Sequence, residues 1–284
     1  MRAGFIGLGN LGRAMAQRLR DEGTELVVWN RTREKADAFG AEVAASPAAL
    51  VGQVDVVILC LASSDAVEAV LRGQDGLLSG DCAGKVIVDT TTNHHAPVPL
   101  FHQLAQQKGA RYVDAPVAGS VVPASQGKLV AMVSGRDEDV AAARPFLEKI
   151  AASIHVLPGP GQATRMKLIN NLCLGTFMAV IAEALATADA AGIDREQALD
   201  VLADGGAKSG VIGAKRQKLL DRDYAPHFSC AMIHKDLHCL QDLARDLGRP
   251  EHIAGVVKEQ FGRTFLKGRQ DEDFAAIYGI FEEG

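Results

Sequence analysis

Short apolar runs separated by helix-forming stretches fill the first 160 residues, after which one long apolar segment takes over. The runs Arg2–Ile6, Glu25–Trp29, Val54–Leu61, Lys85–Thr91, Arg111–Val117, Val130–Ser134 and Ile154–Leu157 are short and rich in valine and isoleucine. Between them stand helical stretches such as Arg13–Glu22, Ser64–Leu71 and Val98–Lys108. That alternation predicts a mostly parallel, doubly wound sheet in an α/β domain. From Gly161 to the stop at Gly192 the chain carries no proline and a single interior glycine, Gly175. The interior of this segment (Leu172, Leu174, Phe177, Met178, Val180, Ile181) is apolar on all sides, which predicts a helix buried over most of its surface. Such a helix is about 45 Å long, more than one small domain needs. Further helices, among them Arg195–Leu202 and Cys230–Leu247, follow it. The expected division is therefore an α/β domain over residues 1–160 and an all-helical domain over 161–284.

The polar exceptions in the long helix gather in its first turns. Lys167, Asn170 and Asn171 stand at i, i+3 and i+4 and share one face. Two readings fit: a solvated first turn with an incidental charge, or a catalytic lysine at a domain junction.

The first strand runs into Gly7-Leu8-Gly9-Asn10-Leu11-Gly12, with a helix after it and a second strand at the right distance. In this setting the first glycine permits a tight turn. The second admits a pyrophosphate against the backbone, and the third lets helix pack on strand. The amides of Leu8, Asn10 and Leu11 are then candidates to face the phosphates at the helix N-terminus. The second strand ends in Asn30-Arg31-Thr32-Arg33, with no acid until Glu34. A 2′-hydroxyl site usually has a carboxylate there, whereas a 2′-phosphate calls for arginine, so NADP(H) is the expected dinucleotide and NAD remains open. Arg31 is the candidate for the phosphate, with Asn30 and Thr32 as hydrogen-bond partners. Ligands of such sheets bind beyond the carboxyl ends of the strands. There the chain has Leu61-Ala62-Ser63, Thr90-Thr91-Thr92 and Ala115 to Ser120, mostly small or hydroxyl-bearing residues that suit close approach of a ribose, a nicotinamide or a small acid.

Composition narrows the partners. An apolar content of 48% and a net charge of −5 describe an ordinary soluble protein, with no signal for nucleic acid or an anionic membrane. The five cysteines show no CxxC spacing, and the chain opens directly into a strand without a leader pattern. A cytoplasmic protein with reduced thiols is the expectation. His234 and His238 stand at i, i+4, a spacing that can bind a metal, but no third ligand accompanies them and the expected chemistry requires none.

The order of Gly7-x-Gly9-x-x-Gly12, Asp89-x-Thr91-Thr92, Asp114-Ala115-Pro116-Val117-x-Gly119, Lys167-x-x-Asn170-Asn171 and Lys235-Asp236-Leu237 resembles the β-hydroxyacid dehydrogenase family across essentially the whole chain. Members include 3-hydroxyisobutyrate dehydrogenases, tartronate semialdehyde reductases and glyoxylate/succinic semialdehyde reductases. The resemblance implies a Rossmann-like domain joined by the long helix to an all-helical one, and a small-molecule substrate. It also implies a homodimer or homotetramer. It maps the catalytic acid/base onto Lys167 and a substrate contact onto Asn171. Thr92 and Lys235 fall at cofactor positions, and Phe228 and Asp236 at positions that flank the substrate in the reductase subgroup. In such chemistry the lysine ammonium protonates the forming alkoxide, while in oxidation the neutral amine takes the hydroxyl proton.

One position departs from the family. Ala118 stands where the pattern usually has serine, so a hydroxyl donor to the substrate carboxylate is missing. Gly119 and Ser120 are the expected substitutes. The departure keeps open an imine reductase or reductive aminase of the same fold. A non-catalytic NADP-binding protein is the alternative of another class.

Overall fold

A computed structural model describes residues Arg2–Glu283. The chain divides into two compact units, Met1–Lys167 and Leu168–Gly284. In the first, strands β1 (Arg2–Ile6), β2 (Glu25–Trp29), β3 (Glu42–Val43), β4 (Val56–Leu59), β5 (Val86–Asp89) and β6 (Arg111–Asp114) form one sheet. Its order is β3-β2-β1-β4-β5-β6, and every pairing is parallel. Helices α1 (Asn10–Asp21), α2 (Arg33–Asp37), α3 (Pro47–Val51), α4 (Ser64–Arg72) and α5 (Val98–Gln107) lie between these strands in sequence. This is the Rossmann-like order, reversing direction at β1/β4, where ligands of such sheets bind.

The strands are apolar on both faces, as a parallel sheet covered on both sides requires. Val56 and Ile58 of β4 enter one core cluster with Met15 and Leu19 of α1, while Val57 and Leu59 enter the other with Leu50, Val67 and Phe101. The alternation follows from the two-residue repeat of a strand.

The strand run expected over Arg111–Val117 ends at Asp114. Pro116 lacks an N–H and cannot continue the ladder, and the chain turns into a second, three-stranded sheet. That sheet comprises β7 (Val117–Ala118), β8 (Leu129–Val133) and β9 (Ala151–Val156), with α6 (Val121–Ser125) and α7 (Asp137–Ile150) between them. The last two apolar runs therefore belong to this separate sheet and not to the doubly wound one. β3, whose two residues carry too little pattern to read, was not anticipated from the sequence.

The long helix is α8 (Gln162–Ala190), continuous across the division between the units. The second unit adds α9 (Arg195–Asp204), α10 (Gly210–Asp221), α11 (Cys230–Asp246), α12 (Ala254–Leu266) and α13 (Tyr278–Glu282). Its core gathers Met178, Leu185, Leu199, Ile233, Phe261, Phe274 and Tyr278. Beneath it runs a buried ion pair: Lys215 Nζ lies 2.8 Å from Asp273 and 4.8 Å from the Phe274 ring centroid. Burial holds the Lys215 ammonium below its ordinary pKa, against the pull of Asp273.

The start of α8 is fixed by a carboxylate from far away in sequence. The helix enters through Gly159-Pro160-Gly161, which offers no capping side chain of its own. Asp114, fully buried at the end of β6, accepts from the amides of Gly161 and Thr164, each at 3.1 Å. Its second oxygen also accepts from the Ser134 hydroxyl at 2.8 Å, and Ser134 Oγ accepts from the amide of Ala163 at 2.9 Å. His102 Nε2 lies 2.9 Å from the first oxygen. Two side chains thus satisfy three amides at the N-terminus of α8, which otherwise have no intrahelical partner, and the negative charge lies at the favourable end of the helix dipole.

An Asp114→Asn substitution places an NH2 group against these donors and is expected to destabilise the N-terminal unit by about 1–3 kcal/mol. Trp29, the only tryptophan, lies on β2 and reports that unit's urea unfolding by fluorescence. An unchanged midpoint would show that the carboxylate is dispensable.

Candidate active site

The glycine loop after β1 has the form its residues predict. Gly7 adopts φ +102°, and a Cβ there would lie 2.2 Å from the Cys60 carbonyl oxygen. A Cβ on Gly12 would lie 2.0 Å from the Gly7 carbonyl oxygen. Gly9 alone has open space around it, with nothing within 4 Å of a built Cβ. Two glycines are thus required by packing, and the third leaves a cradle in front of the α1 N-terminus, where a pyrophosphate fits. α1 begins at Asn10, three residues before the expected Arg13, because Gly9 is already its N-cap.

The end of β2 holds this loop in place. Asn30 Oδ1 accepts from the amide of Leu8 at 2.9 Å, and its Nδ2 donates to the Thr32 carbonyl at 2.8 Å. The Asn30 amide therefore braces the loop, a use its sequence position did not reveal. Arg31 and Thr32 are exposed, and Thr32 starts α2 without a side-chain cap. Arg33 is tied to Asp37 at 2.8 Å, whereas Arg31 forms no ion pair among the described residues. No carboxylate stands at the ribose position.

The ends of β4 and β5 are joined by the next motif. Asp89 is buried completely and accepts from Thr91 N at 2.9 Å, Asn93 Nδ2 at 2.6 Å and Tyr112 OH at 2.6 Å. Burial raises its carboxyl pKa, opposed by the hydrogen bonds from Tyr112, Thr91 and Asn93. The Tyr112 phenol is itself driven well above its ordinary pKa by burial and then by Asp89. Thr91 Oγ1 accepts from the amide of Leu61 at 3.0 Å, and Thr90 Oγ1 donates to the Leu59 carbonyl at 2.6 Å. Leu61, Ala62 and half-buried Thr92 thus come together beside the glycine loop, at the carboxyl ends of neighbouring strands. Burial pushes the Cys60 thiol at this edge up to about 12, so it is no nucleophile at neutral pH.

After β7, Gly119 adopts φ +120°, and a Cβ there would lie 2.7 Å from Leu129 Cδ2, so no other residue fits without movement. Ser120 follows, half-buried, and its hydroxyl makes no cap bond to α6. Ala118 pairs with Val130 at the end of the strand.

Lys167 is only 6% exposed on the second turn of α8. One turn on, Asn171 is fully buried, and its Nδ2 donates to Asp236 Oδ2 of α11 at 2.6 Å. Lys235 Nζ lies 3.0 Å from Asp236 Oδ1 in an ion pair, and Asn170 Nδ2 donates to Asn171 Oδ1 at 3.1 Å. The structure therefore joins Asn171, Lys235 and Asp236 in the second unit. Asp236 is 1% exposed and holds both Asn171 and Lys235. Phe228 is not part of this group. It stands before α11, about two turns from Asp236, with its ring edge-on to Phe274 at 5.7 Å. His234 and His238 also point elsewhere, His234 to the Phe265 ring at 5.2 Å and His238 to Asp242 at 3.8 Å.

Sequence reading missed Asp114 as the cap of α8, Ser134 as its second, and Asn93 and Tyr112 as ligands of Asp89. A signal for the first existed: a long helix entered through glycine and proline must find its cap elsewhere.

Comparison with known proteins agrees with this layout. Residues 2–159 match the model described as the NAD binding domain of 6-phosphogluconate dehydrogenase. Residues 161–281 match the one described as NAD-binding of NADP-dependent 3-hydroxyisobutyrate dehydrogenase. Cytokine-like nuclear factor N-PAC of Xenopus tropicalis is 31% identical over 98% of this chain and 53% of its own, so the chain spans about half the length of that relative. Chloroplastic glyoxylate/succinic semialdehyde reductase 2 of Arabidopsis thaliana is 30% identical over 96% of this chain and 77% of its own. Among solved structures, 3-hydroxyisobutyrate dehydrogenase from Salmonella typhimurium superposes with a TM-score of 0.91 at 27% identity, covering 99% of this chain and 100% of that one. Psf3 in complex with NADP+ and 2-OPP also gives 0.91, at 29% identity over 98% and 99% of the two chains.

Two outcomes follow from the geometry. Arg31→Ala is expected to weaken NADPH about 10- to 100-fold, the worth of a charge-assisted contact, and to leave NADH nearly unchanged in fluorescence titrations. Equal losses would place the residue away from the 2′-phosphate. Asp236→Ala strands the buried Asn171 amide and is expected to lower kcat/KM by about 10- to 100-fold with NADPH affinity reduced far less. Steady-state kinetics with direct cofactor titration checks it, and unchanged kcat/KM would remove Asp236 from the site.

Proposed function

The chain belongs to the β-hydroxyacid dehydrogenase family, and on that premise we propose that it interconverts a small β-hydroxyacid and its semialdehyde, or reduces a small aldehyde acid such as glyoxylate or succinic semialdehyde, with NADPH. The observation that carries this reading is Lys167: a lysine almost withdrawn from solvent, one turn from an asparagine held by a buried carboxylate. Incidental lysines in a first helical turn are solvated, and burial of an ammonium is costly enough to demand a use.

In this proposal bound NADPH supplies the hydride to the carbonyl carbon. Lys167 Nζ delivers the proton to the forming alkoxide oxygen and stabilises its charge as it develops. In the oxidative direction the neutral amine takes the hydroxyl proton. Asn171, whose amide is held by Asp236, contacts the substrate and orients it. The substrate carboxylate is held by the amides of Gly119 and Ser120 and by the Ser120 hydroxyl, which take over from the hydroxyl absent at Ala118. Arg31 and the lack of an acid at the end of β2 support NADPH over NADH, as does the NADP+ bound by the related Psf3. The names of the Arabidopsis and Salmonella relatives support a small aldehyde or hydroxy acid as substrate.

The test is NADPH oxidation with glyoxylate, succinic semialdehyde, methylmalonate semialdehyde, tartronate semialdehyde and a cyclic imine. Turnover of one aldehyde is expected. Lys167→Ala is expected to lower kcat by about 10²–10⁴ with NADPH affinity nearly unchanged, as loss of a general acid does. Turnover of the imine alone would assign the chain to imine reduction. Tight NADPH binding without any turnover would leave a non-catalytic dinucleotide-binding protein, the reading that the nuclear-factor name of N-PAC favours.

A further inference from the structure

The segment that carries Arg31 cannot hold itself. α2 has five residues, far short of the roughly 12–15 that an isolated helix needs, and Thr32 opens it without a side-chain cap. β3 behind it pairs through only two residues, on the outer edge of the sheet. The position of Arg31 and Thr32 is therefore set by what grips residues 30–40 from outside.

There are two such grips. At the front, Asn30 ties the segment to the glycine loop through the amide of Leu8. At the back, α1 reaches across with two arginines. Arg13 and Arg20 place their guanidinium carbons 5.6 Å and 4.8 Å from the ring centroid of Phe39, which is 3% exposed. Both separations are within reach of a cation–π contact. Arg13 Nη2 also donates to the Ala38 carbonyl at 3.1 Å, and Arg20 Nη1 to the Phe39 and Gly40 carbonyls at 3.1 Å and 3.3 Å.

Arg13 is the informative member of the pair. Arg20 lies in the last turn of α1, where a cation suits the helix dipole. Arg13 lies near the start of the same helix, at the positive end of that dipole, where a cation gains nothing. Its place is accounted for by Ala38 and Phe39, at the far end of α2 from Arg31. Both grips thus issue from the elements that form the dinucleotide cradle: Leu8 belongs to the glycine loop, and Arg13 stands about one turn beyond Gly9.

We infer that Phe39, clamped between Arg13 and Arg20, sets the preference for NADPH over NADH by fixing the spacing between the pyrophosphate cradle and Arg31. A 2′-phosphate needs that spacing, and a 2′-hydroxyl does not. Arg13 and Phe39 are positioning residues that act through Arg31, and the inference rests on the NADPH reading above.

Fluorescence titration of the full chain with NADPH and with NADH tests it. Phe39→Leu keeps an apolar side chain but has no ring; it is expected to weaken NADPH about three- to tenfold, the worth of a cation–π contact, and to leave NADH within about twofold. Phe39→Tyr retains the ring and is expected to keep the wild-type ratio of the two affinities. Arg13→Met is expected to weaken NADPH as Phe39→Leu does, and to add little in combination with it, because the same contact is lost. A merely structural role would lower both affinities together, or shift the urea midpoint read from Trp29 with the ratio intact. Equal losses for the two dinucleotides, a ratio unchanged in both Phe39→Leu and Arg13→Met, or a Phe39→Tyr chain as impaired as Phe39→Leu would each overturn the inference and leave the NADPH reading standing. A wild-type chain without preference for NADPH would overturn both.

Discussion

The site depends on how α8 is anchored, and the anchor is the buried carboxylate of Asp114. A helix entered through Gly-Pro-Gly cannot cap itself, so its exposed amides must find acceptors in the body of the first unit. Asp114 supplies two and the Ser134 hydroxyl a third. Each contact is worth only about a kilocalorie in net terms, but an amide or carboxylate left unpaired in this interior costs more than any one of them gains. That asymmetry makes the anchor specific. The helix cannot slide or rotate by one residue without stranding several groups together, and the azimuth of Lys167 is set accordingly.

A second buried carboxylate repeats the device one strand away. Asp89 and Asp114 are register partners on β5 and β6, both at the carboxyl edge of the sheet. Asp89 gathers Thr91, Asn93 and Tyr112 and thereby shapes the turn that carries Thr92. Asp114 gathers the start of α8. Parallel strands end in step along this edge, so two acids at equal register organise neighbouring walls of it, one toward the dinucleotide and one toward the lysine. Neither acid needs to touch a ligand to matter.

Much of this was legible in the chain, and the limits have physical causes. The doubly wound sheet, the glycine loop and the long helix were legible because each rests on a local pattern: alternating strand and helix periods, glycine spacing, and a stretch without breakers. The three-stranded sheet was misjudged because β7, β8 and β9 have the same valine-rich composition as the main strands. Only Pro116, two residues past the end of β6, marks the change. Asn30 was expected to serve a ligand, and its bracing of the loop was not legible, since an amide at a strand end suits either task and sequence does not choose. The links from Asp114 to Thr164 and from Asn171 to Asp236 join residues 50 and 65 positions apart. No periodicity encodes such pairs.

Buried polar groups hold α8 at two points within its first three turns. Asp114 fixes where α8 begins, and Asp236, held in α11 beside Lys235, receives the Asn171 amide from its third turn. Lys167 lies between these attachments along the helix, so its backbone is constrained from both sides while its side chain retains its length and reach. The cost of burying Asp89, Asp114 and Asp236 is then intelligible. Apolar substitutes would pack as well and spare the desolvation, but they would leave the register and rotation of α8 to non-directional packing. Directional hydrogen bonds to the buried carboxylates of Asp114 and Asp236 restrict the helix to one setting, and with it the direction in which Lys167 leaves the helix.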